Sequence, residues 1–174
     1  MELYEAIKKR YSCRSYQDKP VEKEKLDRIL EAARLAPSAR NCQDWRFVIV
    51  TDKKLKASLL EKATSQQFLA NSTIIAACSV NSGTMSCGQP VAAIDVAIAL
   101  EHIALAATAE GLATCWIGSF KPDGAREVLG IPKSIVVVEL MGLGYPADRQ
   151  PTPKRMKLDE IVCHNRWTFP DPVA

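Results

Sequence analysis

VAAIDVAIALEHIALAATA, residues 91–109, is the stretch on which the fold turns. It is nearly apolar and long enough to tempt a membrane reading. Asp95, Glu101 and His102 interrupt it, alanine dominates it, and Gly111 follows as a left-handed cap. The pattern therefore predicts a buried helix over 91–110 and no membrane span. Asp95 and His102 lie seven residues, two turns, apart and are expected to pair along one face.

Working outward, TIIAACSV (73–80) and WRFVIVTD read as buried strands, ATCWIG as a short strand and SIVVVELMGLG as a long one. Residues 2–10 predict a helix with Leu3, Ala6 and Ile7 on one face. EKEKLDRILEAARLA repeats Leu26, Ile29, Leu30, Ala33 and Leu35 at helical spacing until Pro37 stops it. Helical patterns also cover 53–62, the region around 66–70, and 121–129, while NSGTMSCGQP (81–90) is a loop. Beyond Pro146 the chain turns rich in proline and charge yet keeps Ile161, Val162, Trp167 and Phe169. A disordered tail carries few aromatics, so 146–174 reads as an arm that packs on its own domain or on a partner's. Mixed helices and strands over 1–174 predict one α+β layered domain.

Bulk composition narrows the function. The 174 residues are 47% hydrophobic and 25% charged with a net charge of +3, too weak a bias to indicate nucleic acid. MELYEAIKKR lacks an apolar signal region, so a cytoplasmic protein with reduced thiols is expected. The six cysteines include no C-x-x-C pair, and the histidines are two, so no metal site is expected.

Four polar stretches remain. RYSCRSY (10–16) sets Arg10 and Arg14 around Ser12 and reads either as a solvated turn or as a site for a doubly charged anion. LAPSARNCQDWRF is either a helix-stop loop or a ligand loop whose Asn41 and Gln43 read a heteroaromatic edge. In EGLATCWIGSF, Gly118 allows close approach of backbone to a flat ligand, Trp116 reads as core or platform, and Cys115 as a small buried hydrophobe. In PKRMKLDEIV, Lys154 and Arg155 either clamp an anion or solubilise the arm.

Taken in order, IKKRYSCRSY, APSARNCQDWRFVIV, AIALEHIALAATAEGLATCWIGSF, LGYP and PKRMKLDEIV resemble the nitroreductase family of flavin enzymes over nearly the whole chain. The resemblance implies a nitroreductase-like layered fold, a central mixed β-sheet flanked by helices, with an extended C-terminal arm exchanged in a homodimer. It implies non-covalent FMN and NAD(P)H as a transient co-substrate. By position, Arg10, Tyr11, Ser12 and Arg14 match the turn that holds the FMN phosphate, and Lys154 and Arg155 a second clamp. Pro37, Ser38, Ala39, Arg40 and Asn41 match a loop that reaches the flavin of the other subunit. Trp116, Ile117, Gly118 and Ser119 match the segment along the isoalloxazine, where a backbone N–H meets flavin N5. Two positions depart from the pattern: Tyr11 stands where many members carry Arg, and Asp44 where many carry Pro.

The implied activity moves reducing equivalents from NAD(P)H through flavin to nitroaromatic, quinone or similar acceptors by a ping-pong mechanism. The flavin carries the chemistry, so no catalytic side chain is expected. Expected partners are a second copy and a small aromatic or quinone-like acceptor, with no nucleic acid and no membrane. A reductive dehalogenase, a flavin-modifying enzyme and a non-catalytic flavin-binding protein stay open as alternatives.

Overall fold

A computed structural model describes residues 1–148 and 154–170. Its central helix, α4 (Val91–Ala109), is among the described residues the one helix long and apolar enough to cross a bilayer. It is instead a core helix. Val96, Ala99, Leu100, Ile103 and Ala107 are buried against the sheet and α2 (Lys23–Arg34). Its alanines let the neighbouring backbones close in. Gly111 ends the segment at φ 77°, the left-handed conformation expected of it.

The sheet contains β1 (Trp45–Val50), β2 (Thr73–Ser79), β3 (Ala113–Ile117) and β4 (Val136–Gly144) in the order β1-β2-β4-β3. After α4 the chain skips one position, and β4 fills the slot antiparallel to both neighbours. The mixed character expected of the sheet is confined, among the described residues, to a parallel bridge between Ser12 and Thr114. Every residue of β2 is buried, as befits a strand covered on both faces. The register shifts at Ala77/Cys78, a bulge opposite Val137–Glu139.

Three layers result. α2 and α4 cover one sheet face. α3 (Lys53–Lys62) and α5 (Pro122–Leu129) cover the other. α5 lies so close to the end of α3 that a Cβ on Gly124 would stand 2.2 Å from the Lys62 carbonyl oxygen. The helical pattern around 66–70 is a 3₁₀ turn, Gln67–Asn71, capped by the buried Lys56 ammonium, which donates to Ala70 O at 2.7 Å and Ser72 O at 2.9 Å. Burial pushes the Lys56 pKa down.

The molecule's rim leaves apolar side chains uncovered. In α1 (Leu3–Lys9) only Ala6 is buried, and Leu3 and Ile7 are 61% and 48% exposed. They fail to find cover because α1 sits over the outer side of α4. There Met1, Leu3, Ala32, Leu105 and Ala106 border an open apolar groove of about 360 Å³. Leu35 lies past the end of α2 and is exposed as well. The arm exposes Met156, Leu158, Ile161, Val162 and Trp167, with Trp167 edge-on to Phe169. Residues 149–153 and 171–174 of the expected arm lie outside the described residues.

Candidate functional site

The basic turn follows α1 and is zipped onto two strand ends. Cys13 N donates to Thr114 O, Gln17 N to Tyr145 O and Ala147 N to Ser15 O, each at 2.9 Å. Extended backbone alternates its side chains. Cys13 turns inward and is buried, which leaves Ser12 and Arg14 outward and exposed. Arg10 caps α1 and sits with its Nε 3.6 Å from Glu101 of α4. Burial pushes the Glu101 carboxyl up, and Arg10 partly offsets that.

Tyr11, which stands where many members carry Arg, packs its ring against the Cys13–Tyr16–Ala113 cluster, and among the described residues its buried hydroxyl has no hydrogen-bond partner. Burial and the Cys13 thiol push its pKa up to about 12. The phenol is a neutral, inward-facing group.

Arg14 does meet a second expected segment. With Gln66, Phe68 and residues 115–119 it lines a cavity of about 220 Å³ beside β3. A Cβ on Gly118 would meet nothing within 4 Å, and its φ is not positive, so neither packing nor backbone conformation demands glycine there. Its missing side chain leaves backbone open to the cavity. The segment is held firmly: Thr64 Oγ1 donates to Ser119 O at 2.9 Å, and Lys121 N donates to Ala63 O at 2.7 Å. Ile117 is buried and offers only backbone; Trp116 is half-buried and packs on the core. Burial raises the Cys115 thiol, which disfavours a nucleophilic thiolate.

Of two acidic groups near these segments, one escaped the sequence reading and the other was assigned the wrong partner. Glu139 on β4 precedes Leu140, the partner of Ile117, and so lies level with Gly118. One of its carboxylate oxygens is buried without a hydrogen-bond partner among the described residues, and burial raises its pKa. The β2 register shifts directly beside it, a bulge invisible in the sequence. Asp95 is the other. It does not pair with His102, because each reaches a different backbone group. Both Asp95 oxygens accept from Ala39 N at 3.1 Å, and His102 Nδ1 lies 3.0 Å from Ala32 O.

The loop tethered by Asp95 holds Pro37–Asn41, of which Pro37, Arg40 and Asn41 are exposed. Arg40, Asn41 and Gln43 adopt positive φ of 51°, 56° and 54°. Ser38 Oγ accepts from Gln43 N at 3.0 Å, so its hydroxyl closes its own loop. Asp44, the other departure, accepts from Asn81 Nδ2 at 2.9 Å and straps the loop to residues 81–83. None of residues 37–44 lines the Arg14–Gly118 cavity of the same chain. Lys154 and Arg155 are exposed on the arm, where Arg155 donates to Lys154 O at 2.9 Å; the single chain does not bring them to the basic turn.

The geometry has relatives. The sequence profile of the nitroreductase family matches residues 7–73 and 66–145. An Archaeoglobus fulgidus protein whose name pairs NADH dehydrogenase with NAD(P)H nitroreductase is 34% identical, over 86% of this chain and 88% of its own. A Bacillus subtilis FMN reductase [NAD(P)H] is 30% identical over 97% of this chain and 74% of its own. The solved structure of an FMN-dependent nitroreductase from Clostridium difficile superposes with a TM-score of 0.80 at 32% identity, covering 93% and 98% of the two chains. Profile, sequence and fold agree over nearly the whole length, and the chain belongs to the nitroreductase family.

Proposed function

We propose that this chain is an FMN-dependent oxidoreductase that passes reducing equivalents from NAD(P)H to nitroaromatic, quinone or similar flat acceptors. The carrying observation is the cavity beside β3, where Arg14 and the open backbone at Gly118 meet. A guanidinium fork suits a phosphate, and a missing Cβ suits the close approach of a flat ring. Those two features fit FMN, the cofactor in the names of the Bacillus and Clostridium relatives.

When bound, FMN supplies the electron transfer, and the protein supplies binding and orientation. Arg10, Ser12 and Arg14 would hold its phosphate, and Lys154 and Arg155 on an arm exchanged between the two copies would supply the second clamp. Backbone of 116–119 would hold the flavin ring. The loop Pro37–Asn41 stands apart from its own chain's cavity and serves the cavity of a second copy. The exposed apolar side of α1 and the exposed apolar residues of the arm favour this homodimer, since each needs a surface to cover it. The chain has no G-x-G-x-x-G after a strand, so nicotinamide and acceptor take turns in one pocket.

The test begins with purified protein loaded with FMN and then denatured. One FMN per subunit in the supernatant is expected; FAD, or no flavin, sinks the proposal. Added NADH or NADPH should bleach the bound flavin within seconds, and a flavin that stays yellow indicates a binding protein without turnover. Steady-state rates against a panel of acceptors should give parallel double-reciprocal lines, the mark of alternating occupancy.

A further inference from the structure

We propose that Asp95 is a positioning residue for the flavin site of the opposite subunit: its buried carboxylate holds the 38–43 loop in the shape that reaches across the dimer. The inference rests on the reading of the flavin pocket as shared between two subunits.

Asp95 is 2% exposed on a helix whose other buried residues are, apart from Thr108, apolar. A carboxylate at such a place is costly unless it is engaged. It is engaged with one group only among the described residues, the Ala39 amide, which both oxygens accept at 3.1 Å. The residues just past Ala39 need holding. Three L residues within four positions adopt left-handed backbone, a conformation that persists only where the surroundings impose it. The Ser38–Gln43 bond closes the loop and the Asp44–Asn81 bond fixes its far end. Asp95 fixes its near end to the core helix. Arg40 and Asn41 are thereby presented outward, away from the cavity of their own chain.

Asp95→Asn keeps the shape of the side chain and removes its charge. Ala39→Pro removes the donor instead, and the extended Ser38 before it tolerates a following proline. Each homodimer should bind FMN about tenfold or more weakly, because binding must then order the released loop. Riboflavin should weaken equally, because the loop meets the ring and not the phosphate. The deciding measurement uses mixed dimers purified through two different tags. One subunit carries Asp95→Asn; the other carries Gly118→Leu, which fills its own cavity. If Asp95 acts across the interface, both lesions fall on one site, and the other site keeps wild-type affinity at one FMN per dimer. The Ala39→Pro subunit in the same pairing should behave alike. A mixed dimer with no wild-type site overturns the proposal, as does an Asp95→Asn homodimer that binds like wild type. Wild-type protein that binds no FMN overturns the shared-site reading and this inference together, so the two failures are told apart by the control.

Discussion

Arg14 points outward because Cys13 beside it points inward, and Arg10 is steadied by Glu101. If both arginines hold a phosphate, Arg10→Ala and Arg14→Ala should each weaken FMN binding about ten- to a hundredfold, from roughly 1.5–3 kcal/mol per charge-assisted bond. Riboflavin lacks the phosphate, so its affinity should not change; equal losses for both ligands would refute the phosphate contact. Arg10→Ala has a second effect. It removes the larger of the two charges that offset burial at Glu101, His102 being the other, and burial raises the carboxyl's pKa. A folded-state pKa above the unfolded value means the folded form holds the proton more tightly. Stability is then fullest below the unfolded value and falls as pH rises through the folded one. Arg10→Ala should lose stability as pH rises above the ordinary carboxylate range, and adding Glu101→Gln should flatten that dependence in denaturant melts. The outward arginines were legible because polar side chains clustered in one turn. Tyr11 and Asp95 were not. One depends on which way an extended segment faces, and the other binds a backbone amide, which no letter of the sequence records.

The elements themselves followed from periodicity, since burial on one face imposes spacing of 3.6 or 2 on the side chains. α3 ends within the predicted residues, and only the stretch near 66–70 tightened into a 3₁₀ turn over the Lys56 ammonium. Strand order was hidden, because it depends on which slot β4 fills once α4 has carried the chain past it. Two glycines test how elements meet. Gly124→Ala should destabilise the fold by about 1–3 kcal/mol, because the new methyl collides with backbone at Lys62 and overpacking outweighs the gain in helix propensity. Gly118→Leu has open space before it, so its melting temperature should stay near wild type while FMN binding is lost. A Gly118→Leu protein that still takes up FMN would place the ring elsewhere.

At the scale of the molecule, the apolar groove along α1 and α4 and the uncovered side chains of the arm predict an obligate dimer with an interface above about 2,000 Å². Light scattering at micromolar concentration should return a dimeric mass; a monomer that retains FMN would contradict it. That assembly was legible only as a need for cover, since no single chain's sequence names the surface that meets it. The seam joining the basic turn to Thr114, Tyr145 and Ala147 also has a consequence in time. Arg10 and Arg14 leave the ribosome well before the segment that seats their turn. Gln17 must wait for Pro146, 129 residues later, before it has its partner. Until the chain through Ala147 has emerged, the basic turn is therefore a loose end, and the grip proposed for the phosphate forms only when that seam closes.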